Sequence, residues 1–169
     1  MMPNGFAYLV LAMWPFVSLA LFRTQPPGRA IIGSFLIAYL FLPPPPAGFD
    51  LPLVPTMNKD SIPAVVALVI CLLMYGRRMR FLPEQPLARV LVLVFLLSPL
   101  ATAMTNPEAV VFGRFVIQGL GLKEGLSMVV GNAIAITPFI LAMNFLRSEK
   151  DLRDILLALV VAGMVYSLP

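Results

Sequence analysis

Three cations in this chain are each set between apolar runs and away from any other positive charge: Lys59 in "TMNKDS", Arg114 in "VVFGRFV" and Lys123 in "GLGLKEG". A lysine or arginine in such surroundings is suited to hold a phosphate or diphosphate through charge-assisted hydrogen bonds. A plainer reading stands beside it, because long cationic side chains at a membrane boundary also snorkel to lipid phosphates as anchors. Chemistry beyond binding is narrowed by the absence of histidine. Without it the chain lacks the commonest general base, the commonest metal ligand and every Ser/His or Cys/His nucleophile pair. Carboxylates, Arg, Lys and Tyr remain, and no catalytic residue can be assigned among them. The single cysteine, Cys71, lies in an apolar run. It can form no intrachain disulfide or thiolate metal cluster and reads as a small core residue.

Neither GxxxxGK[ST], HExxH, CxxC nor GxSxG occurs. Gly119, Gly121 and Gly125 precede an apolar run, but their spacing is neither a Walker A loop nor a dinucleotide fingerprint. They read as a tight loop that starts a helix. No metal and no cofactor is predicted.

The elements that must position these residues belong to a membrane. Hydrophobic residues make up 60% of the chain and charged ones 12%, against soluble averages of about 45 to 50% and 25%. The class is all-α, a polytopic transmembrane bundle of about six helices. A span needs about 20 apolar residues, and the apolar runs place helices at about 5–22, 30–42, 62–75, 87–104, 126–146 and 152–169. The sixth reads as cut off in mid-helix, since no polar flank follows it. Asp60 and Ser61 are candidate N-caps for the third helix, and Pro138 should kink the fifth, with Asn132 and Thr137 at hand for the freed backbone.

Orientation follows from the cations. Arg23, Arg29, Arg77, Arg78, Arg80, Arg89, Arg147, Lys150 and Arg153 flank the helices on one side, and only Lys59, Arg114 and Lys123 lie on the other. The positive-inside rule puts the N-terminus outside and makes 43–61 and 105–125 extracytoplasmic. Lys and Arg are thus explained by topology, and no nucleic-acid partner is implied. "SLA" at 18–20 is loosely like a cleavage site, but no basic residue precedes the first apolar run, so that run is read as an anchor.

Within 43–61, "PPPP" is expected to extend the short second helix as polyproline II. "AVVFGRFVIQGL" is read as a short interfacial helix with Arg114 between Phe112 and Phe115. "YGRRMR" can attract anionic lipid heads, although its topological role suffices to explain it. "RSEKDLRD" is read as a solvated turn.

The stretches "FLPPPPAGFDLPLVPTMNKDSIPAVVALVICLLMYGRR", "LSPLATAMTNPEAVVFG" and "IQGLGLKEGLSMVVGNAIAITPFILAMNFLRSEKDLRDILLALVVAGMVYSLP" together resemble the N-terminal half of bacterial O-antigen ligase and polymerase-like membrane proteins. The resemblance runs collinearly along the chain. It implies an inner-membrane protein of surface polysaccharide assembly that joins or transfers polyprenyl-diphosphate-linked glycans on the extracytoplasmic face. Its partners would be the bilayer, the lipid-linked glycan and a missing C-terminal half or a membrane protein partner. The polar loop with functional Arg and His residues in that family lies downstream of this chain, so the fragment itself is not expected to be catalytic. Two other classes remain open: a transporter or permease subunit, and a non-catalytic membrane scaffold. No charged residue lies in the middle of any predicted span, which disfavours transport.

Overall fold

A computed structural model describes residues 4–52, 54–76 and 79–167. Arg77, Arg78 and Pro169 therefore lie outside the described residues, as do the side chains of Phe112 and Phe115. Six helices form: α1 (Gly5–Thr24), α2 (Pro27–Phe41), α3 (Ser61–Tyr75), α4 (Pro86–Thr105), α5 (Leu122–Phe145) and α6 (Glu149–Ser167). Three of them, α1, α4 and α5, are long and apolar enough to cross a membrane. At 1.5 Å per residue, the 20 residues of α1 and of α4 each reach about 30 Å, the depth of a hydrocarbon core.

The chain runs back and forth between two ends. At one, the Tyr8 ring meets Phe49 at 5.6 Å, and Gly125 at the start of α5 packs on Ala103 at the close of α4. At the other, Gly28 abuts the Phe145 carbonyl, the Tyr75 and Phe145 rings meet at 5.3 Å, and Arg29 of α2 reaches Asp154 of α6. The first is called the hairpin end and the second the arginine end. In the interior, α2 packs against α1, α3, α5 and α6, while α4 packs on α5. Small residues permit the close approach: Ala30, Ala38, Ala64, Ala67 and Cys71 are fully buried. Such residues are favoured where membrane helices meet.

Between α1 and α2, the buried hydroxyls of Ser18 and Ser34 share a hydrogen bond of 3.0 Å. One turn earlier on α1, Trp14 is buried against Ala38, Leu42, Ala47 and Ile62, and its indole N–H has no partner among the described residues.

The turn "RSEKDLRD" is more ordered than a solvated turn requires. Arg29 donates Nε and Nη2 to the two carboxylate oxygens of Asp154, at 2.7 and 3.0 Å, and so holds α6 on α2. Ser148 and Asp151 form a reciprocal cap: the Asp151 carboxylate accepts the Ser148 N–H at 2.8 Å, and the Ser148 hydroxyl accepts the Asp151 N–H at 3.2 Å. Hydrogen bonding from the Ser148 hydroxyl and the Ser148 backbone holds the Asp151 carboxyl below its ordinary value. A depressed carboxyl stabilises the fold above its unfolded value, about pH 4, and that contribution fades as pH falls through the folded one. Amide protection at the first turn of α6, taken relative to the intrinsic exchange rate, should therefore fall below about pH 4, with that in the middle of α5 unchanged.

Three local expectations are corrected. The proline run does not extend α2: Pro45 and Pro46 form a turn, and the Ala47 N–H returns to the Pro44 carbonyl at 3.3 Å, reversing the chain. From there β1 (Phe49–Leu51) and β2 (Val54–Met57) form an antiparallel hairpin, pairing Phe49 with Met57 and Leu51 with Val54. The interfacial helix around Arg114 is instead a second hairpin, β3 (Val110–Phe112) and β4 (Phe115–Ile117). Gly113, at φ 60°, takes the first position of its two-residue turn, where positive φ is required. Finally, Asp60 does not cap α3, because its backbone is already helical and its side chain accepts nothing there. Asn58 does so, its Oδ1 accepting the N–H groups of Asp60 and Ser61 at 2.9 and 3.2 Å.

Candidate functional site

All three cations singled out from the sequence lie at the hairpin end, each fixed by a different local device. Lys59 occupies the turn between β2 and α3 that Asn58 builds. Its ammonium lies 4.7 Å from the centre of the Tyr39 ring, on the last turn of α2. A cation within about 6 Å of an aromatic face is held by the ring quadrupole. Its own hydrogen-bond donors are not consumed by that contact.

Arg114 is exposed at the tip of the β3–β4 hairpin, next to Gly113. The base of that hairpin closes through the Leu120 N–H, which donates to the Asn106 carbonyl at 2.9 Å. Gly119 there lies so close to the Pro107 carbonyl that a Cβ would not fit. Lys123 is exposed in the first turn of α5 and lines a shallow pocket of about 300 Å³ with Glu124, Ser127 and Met128. Neither Lys59 nor Arg114 lines that pocket. The structure thus brings the three to one end of the bundle but not into one pocket.

The carboxylates at this end are already engaged or exposed. Glu124 accepts the Gly121 N–H at 3.0 Å and so starts α5 four residues before the expected position. Asp50 accepts the Thr56 hydroxyl at 2.7 Å across the first hairpin. Among the described residues no three His, Cys, Asp or Glu side chains cluster as metal ligands would.

The sequence reading missed Tyr39 and what lies beside it. Tyr39 forms one end of an apolar groove of about 380 Å³ between α2, α5 and α6, with Phe35, Pro138, Ala142, Leu146 and Leu159 along its length. Pro138 removes a backbone N–H from α5, and the groove opens beside it. On the other side of α2 a second groove of about 440 Å³ runs along α6 from the Arg29–Asp154 pair to Phe41 and Val165. An aromatic residue at a helix end is a sequence signal for the membrane boundary. Nothing in the sequence links Tyr39 to Lys59, twenty positions away.

The apolar exteriors of the three long helices decide the class. The chain is a multi-pass membrane protein. Leu87, Leu91 and Val94 on α4 and Leu9 and Phe16 on α1 are largely exposed. On a soluble surface so much contiguous apolar area would be a liability, whereas a hydrocarbon layer accommodates it. Compared with known protein families, with curated proteins and with solved structures, the chain matches none.

Proposed function

We propose that this chain is part of an enzyme of bacterial surface polysaccharide assembly in the inner membrane, one that joins or transfers polyprenyl-diphosphate-linked glycans on the extracytoplasmic face. Its part is to bind the lipid-linked substrate. The carrying observation is the juxtaposition of Lys59, seated on Tyr39, with the mouth of an apolar groove. An isoprenoid tail needs an apolar channel and its diphosphate needs cations at the end of that channel. Arg114 and Lys123, at the same end, complete the set of cations.

The N-terminus is outside in this reading, which follows from the distribution of Lys and Arg. A role in binding rather than bond-making fits a chain without histidine, two of whose hairpin-end carboxylates, Asp50 and Glu124, serve local structure. Transport through the bundle is disfavoured, since the ionisable residues of α1, α4 and α5 lie near helix ends.

The test is glycan transfer from lipid carrier to acceptor in membranes carrying the protein with Lys59→Gln, Arg114→Gln or Lys123→Gln. A charge-assisted hydrogen bond contributes about 1.5 kcal/mol, so each loss should lower transfer roughly tenfold at limiting substrate. Arg153→Gln, at the arginine end, should leave transfer intact. Unchanged transfer by all three variants, at normal membrane levels, would refute the assignment. Accumulation of unligated lipid-linked glycan is the expected companion phenotype.

A further inference from the structure

The arginine end carries a second site that does not depend on the function just proposed. There the loop between α3 and α4 crosses the close of α5, and a pocket of about 440 Å³ opens between them. Its rim is cationic. Arg80 is held in place by its backbone, whose N–H donates to Asn144 Oδ1 and whose carbonyl accepts from Asn144 Nδ2, both at 2.8 Å. Its guanidinium pairs with Glu84. Among the described residues the Arg147 side chain spends only Nε on structure, donating to the Met143 carbonyl at 2.6 Å. Arg80, Arg147 and Glu84 all line the pocket, so the rim has a net charge of one positive unit.

The floor is different in kind. Met143 and Phe139 lie four apart on α5, Arg147 follows just beyond the end of that helix, and Ala88 of α4 also lines the pocket. Residues four apart lie on one helix face. From Met143 to Phe139 is four helical residues, a descent of about 6 Å at 1.5 Å per residue, from beneath the charged boundary into the apolar layer. A soluble anion would use the rim and ignore the floor. Zwitterionic lipid would fit the floor but leave the rim's charge unmatched.

We propose that this pocket binds one anionic phospholipid, its phosphodiester between Arg80 and Arg147 and the start of an acyl chain along Met143 and Phe139 against Ala88. The single negative charge of such a head matches the rim, and the sloping floor selects a lipid over a free phosphate. Arg147, with its Nη groups unspent, makes the principal contact. Bound there, the lipid would tie the α3–α4 loop to α5 beside the existing Asn144 clasp.

Native mass spectrometry of the detergent-purified protein, titrated with phosphatidylglycerol or with phosphatidylcholine of the same acyl chains, tests this. One phosphatidylglycerol should be retained about tenfold more tightly than phosphatidylcholine, a difference of one good charge-assisted contact. Arg147→Gln should reduce that preference about fivefold and Arg147→Lys should largely keep it, a contrast that a folding defect would not produce. Ala88→Trp should block retention with every charge in place, and Arg153→Gln should change nothing. Equal retention of the two lipids, an Arg153→Gln loss equal to that of Arg147→Gln, or full displacement by soluble glycerol phosphate at matched concentration would each overturn the proposal.

Discussion

Gly125→Leu is expected to destabilise the bundle by about 3 kcal/mol, the upper range for overpacking a close helix contact. Even the first added carbon is obstructed: a Cβ at Gly125 would lie 2.8 Å from the Ala103 Cβ and 3.5 Å from the Pro99 carbonyl. The Ala103 Cβ is fixed directly to its backbone and cannot swing aside as a flexible side-chain tip can, so α4 and α5 must separate. Because the described contacts of α4 with other helices run through α5, that separation releases α4 as a unit. Gly125→Ala should cost about 1 kcal/mol, and adding Ala103→Gly should recover most of it by returning the missing space. Gly163→Leu provides the contrast, since no described residue lies within 4 Å of a Cβ at that position on α6. There the helix gains about 0.5 to 1 kcal/mol of propensity at no steric cost. Unfolding midpoints in mixed detergent micelles measure the series. A Gly125→Leu protein as stable as Gly163→Leu would show that the α4–α5 contact does not hold the bundle together.

The second large effect belongs to Asn132. Pro99 in α4 has no N–H to give to the carbonyl four residues earlier, that of Phe95. Asn132 of α5 donates Nδ2 to that very carbonyl at 2.7 Å, and the Ser98 hydroxyl reaches it at 3.1 Å. A gap in one helix is thereby filled from its neighbour. Asn132→Leu should cost about 1 to 2 kcal/mol, the upper range for an interhelical hydrogen bond in a membrane, tempered by the Ser98 contact. The decisive comparison is a double-mutant cycle with Pro99→Ala. Alanine restores the backbone donor, so Asn132→Leu should cost much less in that background, leaving a coupling of about 1 kcal/mol. Additive losses would mean that the two residues act independently.

That contact also shows what the sequence could and could not convey. Asn132 and Pro138 share a helix, and the sequence invites pairing them; Asn132 in fact serves a proline on the neighbouring helix, 33 positions earlier. Spacing along one chain reveals partners a turn apart, while partners on adjacent helices depend on packing. The six helices were legible because apolar runs broken by prolines and charges have few alternatives in a membrane. The hairpins were not, since a short apolar run reads equally as strand or helix. In "VVFGRFVI" the β-branched residues and the central glycine were the signal for strands. For β1 and β2 the prolines argued against pairing, yet an isolated two-stranded hairpin leaves each strand one open edge, where Pro55 withholds no needed donor. Among the candidate site residues, alternation of loops placed Lys59, Arg114 and Lys123 at one end. It could not supply Tyr39, which reaches Lys59 only through the fold.

The shortness of α2 and α3 has a consequence for the bilayer itself. Each has 15 residues and so reaches about 22 Å, roughly 8 Å less than the hydrocarbon thickness. The two helices are neighbours, so the deficit is shared at one place. Lipid beside a short span thins to meet it, because leaving polar backbone in hydrocarbon is more costly than compressing chains. Tyr39, on the last turn of α2, and Lys59, just before α3, lie at one end of that pair, and thinning there would bring the membrane surface down to them. On the function proposed above, a phosphate carried on a lipid tail would meet Lys59 there without being lifted to the height of the surrounding membrane surface.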